Sequence, residues 1–219
     1  GLFRRVEQIF DAFGWDVVRV KYGTLQRAAF AEKGGDKLKD WIDSCPNQLY
    51  SALTFMGGKV WRERLMEALG DQGDVTALLE ARSDEELALL MENLGGNCVK
   101  TMAETFNAVK HDRPVCFLAY TIKGWGTPIA GHEDNHGGLM NKTQMAAWQK
   151  HMGVSAGDEW DKFATVEDPG SLQSFLDQVP FFANSHRRYS DEIISVPSIE
   201  LSSEREISTQ MAFGKIIDD

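Results

Sequence analysis

The sequence contains little cysteine, and the three that occur form no recognisable pattern. Cys45, Cys98 and Cys116 are odd in number and widely spaced, so they match neither a disulfide framework nor a Cys-x-x-Cys metal motif. Cys116 lies within an apolar run, which favours a small core residue over a nucleophile. We therefore expect a reducing compartment, the cytoplasm.

Long hydrophobic runs and clusters of basic residues are also missing. No stretch approaches the roughly 20 apolar residues that a membrane helix needs, and no signal peptide is visible. The formal net charge is −10, and Lys and Arg are scattered along the chain. Because nucleic-acid phosphates are bound by clustered cations, we expect no nucleic-acid partner. Because no apolar stretch is long enough, we expect no membrane association.

Helix and strand patterns alternate at two places, which predicts an α/β fold. An amphipathic stripe over residues 2–13 ends at Gly14 and is followed by a β-branched strand over residues 16–21. A second, nearly continuous apolar strand is predicted over residues 115–121, of the kind that is buried on both faces of a parallel sheet. Pro114 suits its entrance because no ladder N–H is needed there.

A long helical connection is predicted between the two strands. Residues 24–82 are mostly helical and charged, with breaks at glycines and a proline. Ser83 and Glu86 have the spacing of a capping box, which opens a Leu-rich helix that ends at Gly95. A further helix over residues 99–109 precedes the second strand.

The C-terminal third of the sequence loses its periodicity. Residues 157–206 are punctuated by Pro, Gly and Ser, which indicates a linker with one short helix near residues 171–177. Helical spacing returns at residues 207–217. Both ends of the sequence fall within predicted helices, so we expect an internal piece of a longer protein. The predicted organisation has three parts, at residues 1–156, 157–206 and 207–219.

The segment that follows the second strand contains most of the candidate chemistry. Lys123, Gly124 and Gly126 lie at the carboxyl end of the strand, the edge where ligands bind in open α/β sheets. Glycines let backbone N–H groups approach a phosphate, and a lysine adds a positive charge. The alternative is a flexible loop with an exposed lysine. The glycine spacing matches neither a Walker loop nor a dinucleotide fingerprint.

Two histidines, His132 and His136, follow this turn. The glycines around them argue against a helix, which an i,i+4 metal-binding pair would need, so no metal site is predicted. The functional alternative is one histidine that acts as acid, base or hydrogen-bond donor to an anion, and the structural alternative is a solvated loop. Asn141 has the position of a helix cap ahead of Met145 and Trp148.

Several segments, taken in order, resemble the homodimeric pyruvate dehydrogenase decarboxylating components of the transketolase superfamily. The similarity covers most of residues 1–155. The segments are VEQIFDAFGWDVVRVKYG at 6–23, YSALTFMGGKVWRERL at 50–65, the glycine pair and helix at 95–109, RPVCFLAYTIKGWG at 113–126, GHEDNHG at 131–137 and, more faintly, ISTQMAFG at 207–214.

The resemblance implies the later part of a parallel-sheet domain that binds the diphosphate of thiamine diphosphate. Lys123, Gly124 and Gly126 would lie beside that diphosphate, and His136 would project into the active-site channel as the catalytic residue. The parent enzyme would decarboxylate a 2-oxoacid, pyruvate first among them, and pass the acyl group to the lipoyl domain of an acyltransferase. A second subunit of a homodimer, or the remainder of the parent chain, would complete the site.

Two cofactor motifs of the family are absent from this sequence. In the family, the Gly-Asp-Gly…Asn motif that holds magnesium and diphosphate precedes the segment that matches residue 1, and the glutamate that activates the aminopyrimidine comes after residue 219. We therefore expect the main Mg²⁺ ligands outside this chain and the isolated chain to be inactive. A transketolase-type ketol transferase, suggested by His136-Gly137 but disfavoured by Lys123, and a non-catalytic assembly module are the alternatives.

Overall fold

The structure is a computed structural model that describes residues 2–71, 73–180, 195 and 207–218. It divides into two compact units, Gly1–Ala164 and Thr165–Asp219. The domain boundaries predicted after residues 156 and 206 stay predictions. No helix in the described part of the chain combines the length and apolar character needed to cross a bilayer.

The first unit contains helices around a pair of strands. Its elements are α1 (Leu2–Ala12), β1 (Asp16–Val20), α2 (Thr24–Phe30), α3 (Gly35–Ser44), α4 (Asn47–Met56), α5 (Gly58–Leu69), α6 (Gly73–Glu80), α7 (Asp84–Glu92), a 3-10 turn at Gly95–Asn97, α8 (Val99–Asn107), β2 (Val115–Ala119) and α9 (Lys142–His151).

Strands β1 and β2 pair in parallel, with Asp16 opposite Val115 and Val20 opposite Ala119. Helices α1 and α8 both pack against β1, so the α/β prediction is confirmed. The prediction that the second strand is buried on both faces is wrong. Its first four residues are only half-buried and Ala119 is exposed, because the helices that pack on the strand pair, α1 and α8, lie mainly against β1.

The helix boundaries follow local chemistry that the sequence predicts. The Ser83 hydroxyl accepts from the Glu86 N–H at 3.1 Å, and the Glu86 carboxylate accepts from the Ser83 N–H at 2.7 Å, so the predicted capping box is confirmed. Asn141 forms the same arrangement at the start of α9. Gly14, just past α1, has a φ of 78°, which favours glycine at a helix end.

The core of the first unit lies in the helical connection rather than on the sheet. The Trp61 side chain is fully buried, and its ring meets those of Tyr50 and Trp41 edge-on, with centroids 4.8 and 6.0 Å apart. Helices α5 and α7 contribute Leu65 and Leu87, which are also fully buried. The long crossover is therefore a folded helical layer with its own core.

The second unit contains α10 (Pro169–Gln178) and α11 (Thr209–Asp218) among its described residues. The Asp168 carboxylate accepts from the Ser171 N–H at 3.0 Å and so caps α10. The short helix predicted near residues 171–177 and the helix predicted at residues 207–217 are thus confirmed. Of the linker predicted at residues 157–206, residues 181–194 and 196–206 fall outside the described residues.

Helix α7 offers a matched pair of leucines that tests where the core lies. Leu87 is fully buried, whereas the Leu89 side chain is 61% exposed. We expect Leu87→Ala to lower the free energy of unfolding by about 2–5 kcal/mol, because it removes packed methyl groups and leaves a cavity. Leu89→Ala should change it by about 0.5 kcal/mol or less. Urea denaturation of both variants measures the difference, and equal losses would contradict this placement of the core.

Candidate functional site

A glycine pair holds the carboxyl ends of both strands together. The Gly95 N–H donates to the carbonyl of Lys21, just after β1, at 2.8 Å. The Gly96 N–H donates to the carbonyl of Tyr120, just after β2, also at 2.8 Å. A Cβ at Gly95 would lie 2.4 Å from the Val20 carbonyl oxygen, so a larger residue would not fit. The two chain segments that leave the sheet are therefore fixed side by side.

Asn97 extends this contact to the segment that contains the predicted phosphate turn. Its side-chain oxygen accepts from the Ile122 N–H at 2.9 Å. The next residue is Lys123, whose side chain is exposed. Gly124 and Gly126 follow with φ values of 74° and 82°, the left-handed region that favours glycine. The predicted lysine-glycine turn thus lies at the carboxyl edge of the parallel pair.

Lys123 lines two neighbouring cavities at this edge, of about 750 and 510 Å³. Asn47 and Ser51, from the first turns of α4, line both cavities with it. Helix α4 has Pro46 as its N-cap and no side-chain hydrogen bond there. The positive end of its dipole therefore adds to the charge of Lys123, and an anion would be stabilised between them.

The loop after the turn folds back onto Lys123. The side-chain NH₂ of Asn135 donates to the carbonyl of Lys123 at 2.7 Å, and the Gly131 N–H donates to the same oxygen at 3.0 Å. The His132 ring packs edge-on against Phe55 of α4, with centroids 4.6 Å apart. These contacts close one wall of the larger cavity.

The two histidines differ in position. His132 lines the larger cavity, and its Nδ1 accepts from the Asp134 N–H at 3.0 Å. His136 is exposed, and among the described residues that line the two cavities it is absent. The structure therefore brings Lys123, Gly124 and Gly126 into one turn but leaves His136 outside the lining. The roles predicted for all four residues stay predictions.

A carboxylate network lies beside the smaller cavity. Asp43 of α3 accepts hydrogen bonds from the Lys21 amine and the Tyr22 hydroxyl, and from the Lys39 amine at 2.7 Å. Burial by itself raises the pKa of Asp43, but the three hydrogen bonds outweigh it and lower the pKa to about 2. Burial, with the hydrogen bond and charge of Asp43, raises the pKa of Tyr22 well above its ordinary value.

Sequence reasoning missed Asp43, Asn97 and Asn135. Asp43 is 22 residues from Lys21 in the chain, and no local pattern signals that α3 returns to the end of β1. The signal in the sequence that could have identified Asn97 is its position as a polar residue directly after Gly95-Gly96. The three cysteines are all free, and Cys116 is half-buried on β2. The described residues contain no group of three or more His, Cys, Asp and Glu arranged to hold a metal ion.

Comparison with known proteins gives the chain distant homologues of one kind. No family model matches it. The pyruvate dehydrogenase E1 component of Pseudomonas aeruginosa is 26% identical over 234 aligned positions, which is 99% of this chain and 26% of that protein. That of Cupriavidus necator is 23% identical over 236 positions, again 99% and 26%. That of Escherichia coli K12 is 25% identical over 146 positions, 66% of this chain and 16% of that protein.

The structure defines the class of protein, and the sequence similarities identify its distant homologues. The class is a mixed α/β protein whose candidate site lies at the carboxyl edge of a parallel strand pair. Its distant homologues are pyruvate dehydrogenase E1 components, which are oxidoreductases by name. The chain spans about a quarter of the length of the Pseudomonas and Cupriavidus proteins.

The Asp43 network predicts a stability difference that depends on pH. Because the folded pKa of Asp43 is about 2 against an ordinary 3.8, its ionised form stabilises the fold above about pH 4. That contribution is lost as the pH falls from about 4 towards 2. We expect wild type to exceed Asp43→Asn in free energy of unfolding at pH 6 and the difference to shrink steadily as the pH falls from about 4 to 2. Urea denaturation across this range measures it, and a constant difference would contradict the assignment.

Proposed function

We propose that this chain forms part of a thiamine-diphosphate-dependent 2-oxoacid dehydrogenase that acts on pyruvate. The observation that carries the proposal is the placement of the Lys123 turn, which leaves β2 at the carboxyl edge of the sheet and lines both cavities there. The names of the distant homologues support the same activity and favour it over ketol transfer.

The residues of the turn fit a diphosphate. Lys123 supplies a positive charge beside the N-terminus of α4, and the two together favour an anionic group. A Cβ on Gly126 would meet nothing within 4 Å, so the backbone there is open to approach. When bound, thiamine diphosphate supplies the carbanion-stabilising chemistry that decarboxylation of a 2-oxoacid requires. Lys123, Gly124 and Gly126 would hold its diphosphate.

His136 would act on the substrate side of the site, further from the diphosphate than Lys123. Its exposed position on the loop after Lys123 suits a group that meets the oxoacid or an incoming lipoyl group in a channel shared with the rest of the enzyme. Magnesium would be held outside this chain, because it prefers several carboxylate or carbonyl ligands and the described residues contain no group of three or more His, Cys, Asp and Glu arranged to hold a metal ion. Catalysis would therefore require the remainder of the parent chain or a second subunit.

Because this chain would supply only part of the cofactor site, we expect it to bind thiamine diphosphate weakly on its own. The isolated chain should bind thiamine diphosphate with Mg²⁺ only at millimolar concentration, because the main ligands of the magnesium ion are elsewhere. Calorimetric titration measures the affinity, and amide chemical shifts should change chiefly at Lys123, Gly124 and Gly126. Lys123→Met should abolish those changes, whereas Lys162→Met, a lysine remote in sequence, should not.

Two outcomes would contradict this proposal. Micromolar binding by the isolated chain would show that its own residues suffice, against the division of the site. Shift changes that avoid the Lys123 turn at saturating cofactor would show that the turn does not face the diphosphate.

The half-covered sheet predicts dependence on a partner. Strand β2 is only half-buried, and the apolar side chains of Ile9 on α1, Phe13 just after α1 and Phe106 on α8 are more than half exposed. We expect the isolated chain to self-associate or to need a companion polypeptide, because open strand edges and apolar patches favour association. Sedimentation velocity tests this, and a monomer with strong amide protection throughout β1 and β2 would contradict it.

A further inference from the structure

Two asparagine side chains hold the Lys123 turn from opposite sides. Asn97 Oδ1 accepts from the Ile122 N–H at 2.9 Å, one residue before the lysine. Asn135 Nδ2 donates to the carbonyl of Lys123 itself at 2.7 Å. The Ile122 N–H, one residue before Lys123, and the Lys123 carbonyl are therefore hydrogen-bonded to side chains from two different segments.

Asn97 uses its side-chain oxygen as an acceptor, whereas Asn135 uses its side-chain NH₂ group as a donor. The hydrogen-bond partners of each side chain fix this orientation. Asn135 Nδ2 also lies 3.3 Å from the carbonyl oxygen of Ile129. Because both of its partners can only accept, the NH₂ group must face them. Asn97 faces a backbone N–H, which can only donate, so its oxygen must point there. The contact at position 97 needs an acceptor, and the contact at position 135 needs a donor.

Each asparagine is itself held by backbone contacts. Asn97 ends the 3-10 turn whose glycines are hydrogen-bonded to the segments after β1 and β2. Asn135 lies close to Gly124, where a Cβ would come within 3.1 Å of its Nδ2. The Asn135 side-chain oxygen is buried without a partner among the described residues. Its position is thus set by the two bonds that its NH₂ group makes to the turn.

We propose that Asn97 and Asn135 are positioning residues that fix the direction in which Lys123 enters the two cavities. The inference rests on the proposed function, in which Lys123 meets a diphosphate. Asn97 lines neither cavity and acts on Lys123 through the backbone, whereas Asn135 also lines the larger cavity. The Lys123 carbonyl also accepts from the Gly131 N–H, so loss of either asparagine contact should loosen the turn rather than free it. The ammonium group would then spend less time beside the α4 N-terminus.

The test exploits the opposite chemistry of the two amides. Aspartate retains an acceptor but no donor, so Asn97→Asp should keep the wild-type amide exchange rate at Ile122, whereas Asn97→Ala should not. At position 135, Asp would place a carboxylate against two carbonyl oxygens, so Asn135→Asp should be at least as impaired as Asn135→Ala. The matched control is Asn141→Ala, which removes an equivalent Oδ1 contact to a backbone N–H, at 2.9 Å, from the start of α9.

Two measurements on each folded variant separate positioning from simple stability. Amide exchange at Ile122 reports the Asn97 contact directly, and Asn97→Ala should accelerate it about two- to tenfold. Titration with inorganic diphosphate, followed through the Lys123 amide shift, reports the ligand site. Its midpoint should rise about two- to tenfold in Asn97→Ala, Asn135→Ala and Asn135→Asp, and stay unchanged in Asn141→Ala. Asn97→Asp is judged by Ile122 exchange alone, because its added negative charge would itself weaken the binding of an anion.

The outcomes are distinguishable. Failure of Asp to rescue position 97, or rescue by Asp at position 135, would overturn the assignment of the two amides. Faster exchange with an unchanged diphosphate midpoint would overturn the positioning role and leave a structural one. If wild-type chain shows no diphosphate response at Lys123, the proposed function fails, whereas the exchange data still report whether the two contacts exist. If Asn97→Ala does not fold, the two variants at position 135 decide.

Discussion

The candidate site depends on one constraint, the hydrogen bonding of the Gly95-Gly96 turn to the ends of both strands. Strand pairing alone aligns β1 and β2 but does not determine the direction of the chain after residue 119. The two glycine N–H groups capture the carbonyls of Lys21 and Tyr120, and their missing side chains permit the close approach. Because both outgoing segments are held by one turn, Lys21 and Lys123 come to line the same cavity.

The helical core around Trp61 explains how a sheet of only two strands can hold the segments after β1 and β2 in place. Two parallel strands of five residues bury little apolar surface, and parallel pairs seldom persist without covering layers. Here the helices from α3 to α7 form a separate core around Trp61 and bring α4 against the Lys123 loop. The same layer delivers Asp43 to the end of β1. The helical connection therefore supports the site directly, because Ile122, which follows β2 and precedes Lys123, is buried in the same core.

Sequence patterns predicted the elements well and the site only in part. The capping boxes, the helix end at Gly14 and the two strands all follow from contacts within a few residues, so local chemistry specifies them. The turn at Lys123 was likewise visible because glycines after an apolar strand form a local pattern. The Asp43 network and the two asparagine contacts join segments 12 to 25 residues apart, and no periodicity encodes such pairings. The burial of β2 was overestimated because an apolar composition does not show whether helices cover both faces of the strand.

Electrostatics connect the Asp43 network to the turn. The chain has a net charge of −10, so an anionic ligand must meet a local excess of positive charge that overcomes the average field. Lys21 lines the smaller cavity with Lys123, yet its ammonium group is bonded to Asp43, which also holds Lys39. The charge of Lys21 is thus largely neutralised within the protein. Lys123 is the lysine that lines both cavities. Its turn is hydrogen-bonded to Asn97 and Asn135, and these two contacts set the position of its ammonium group.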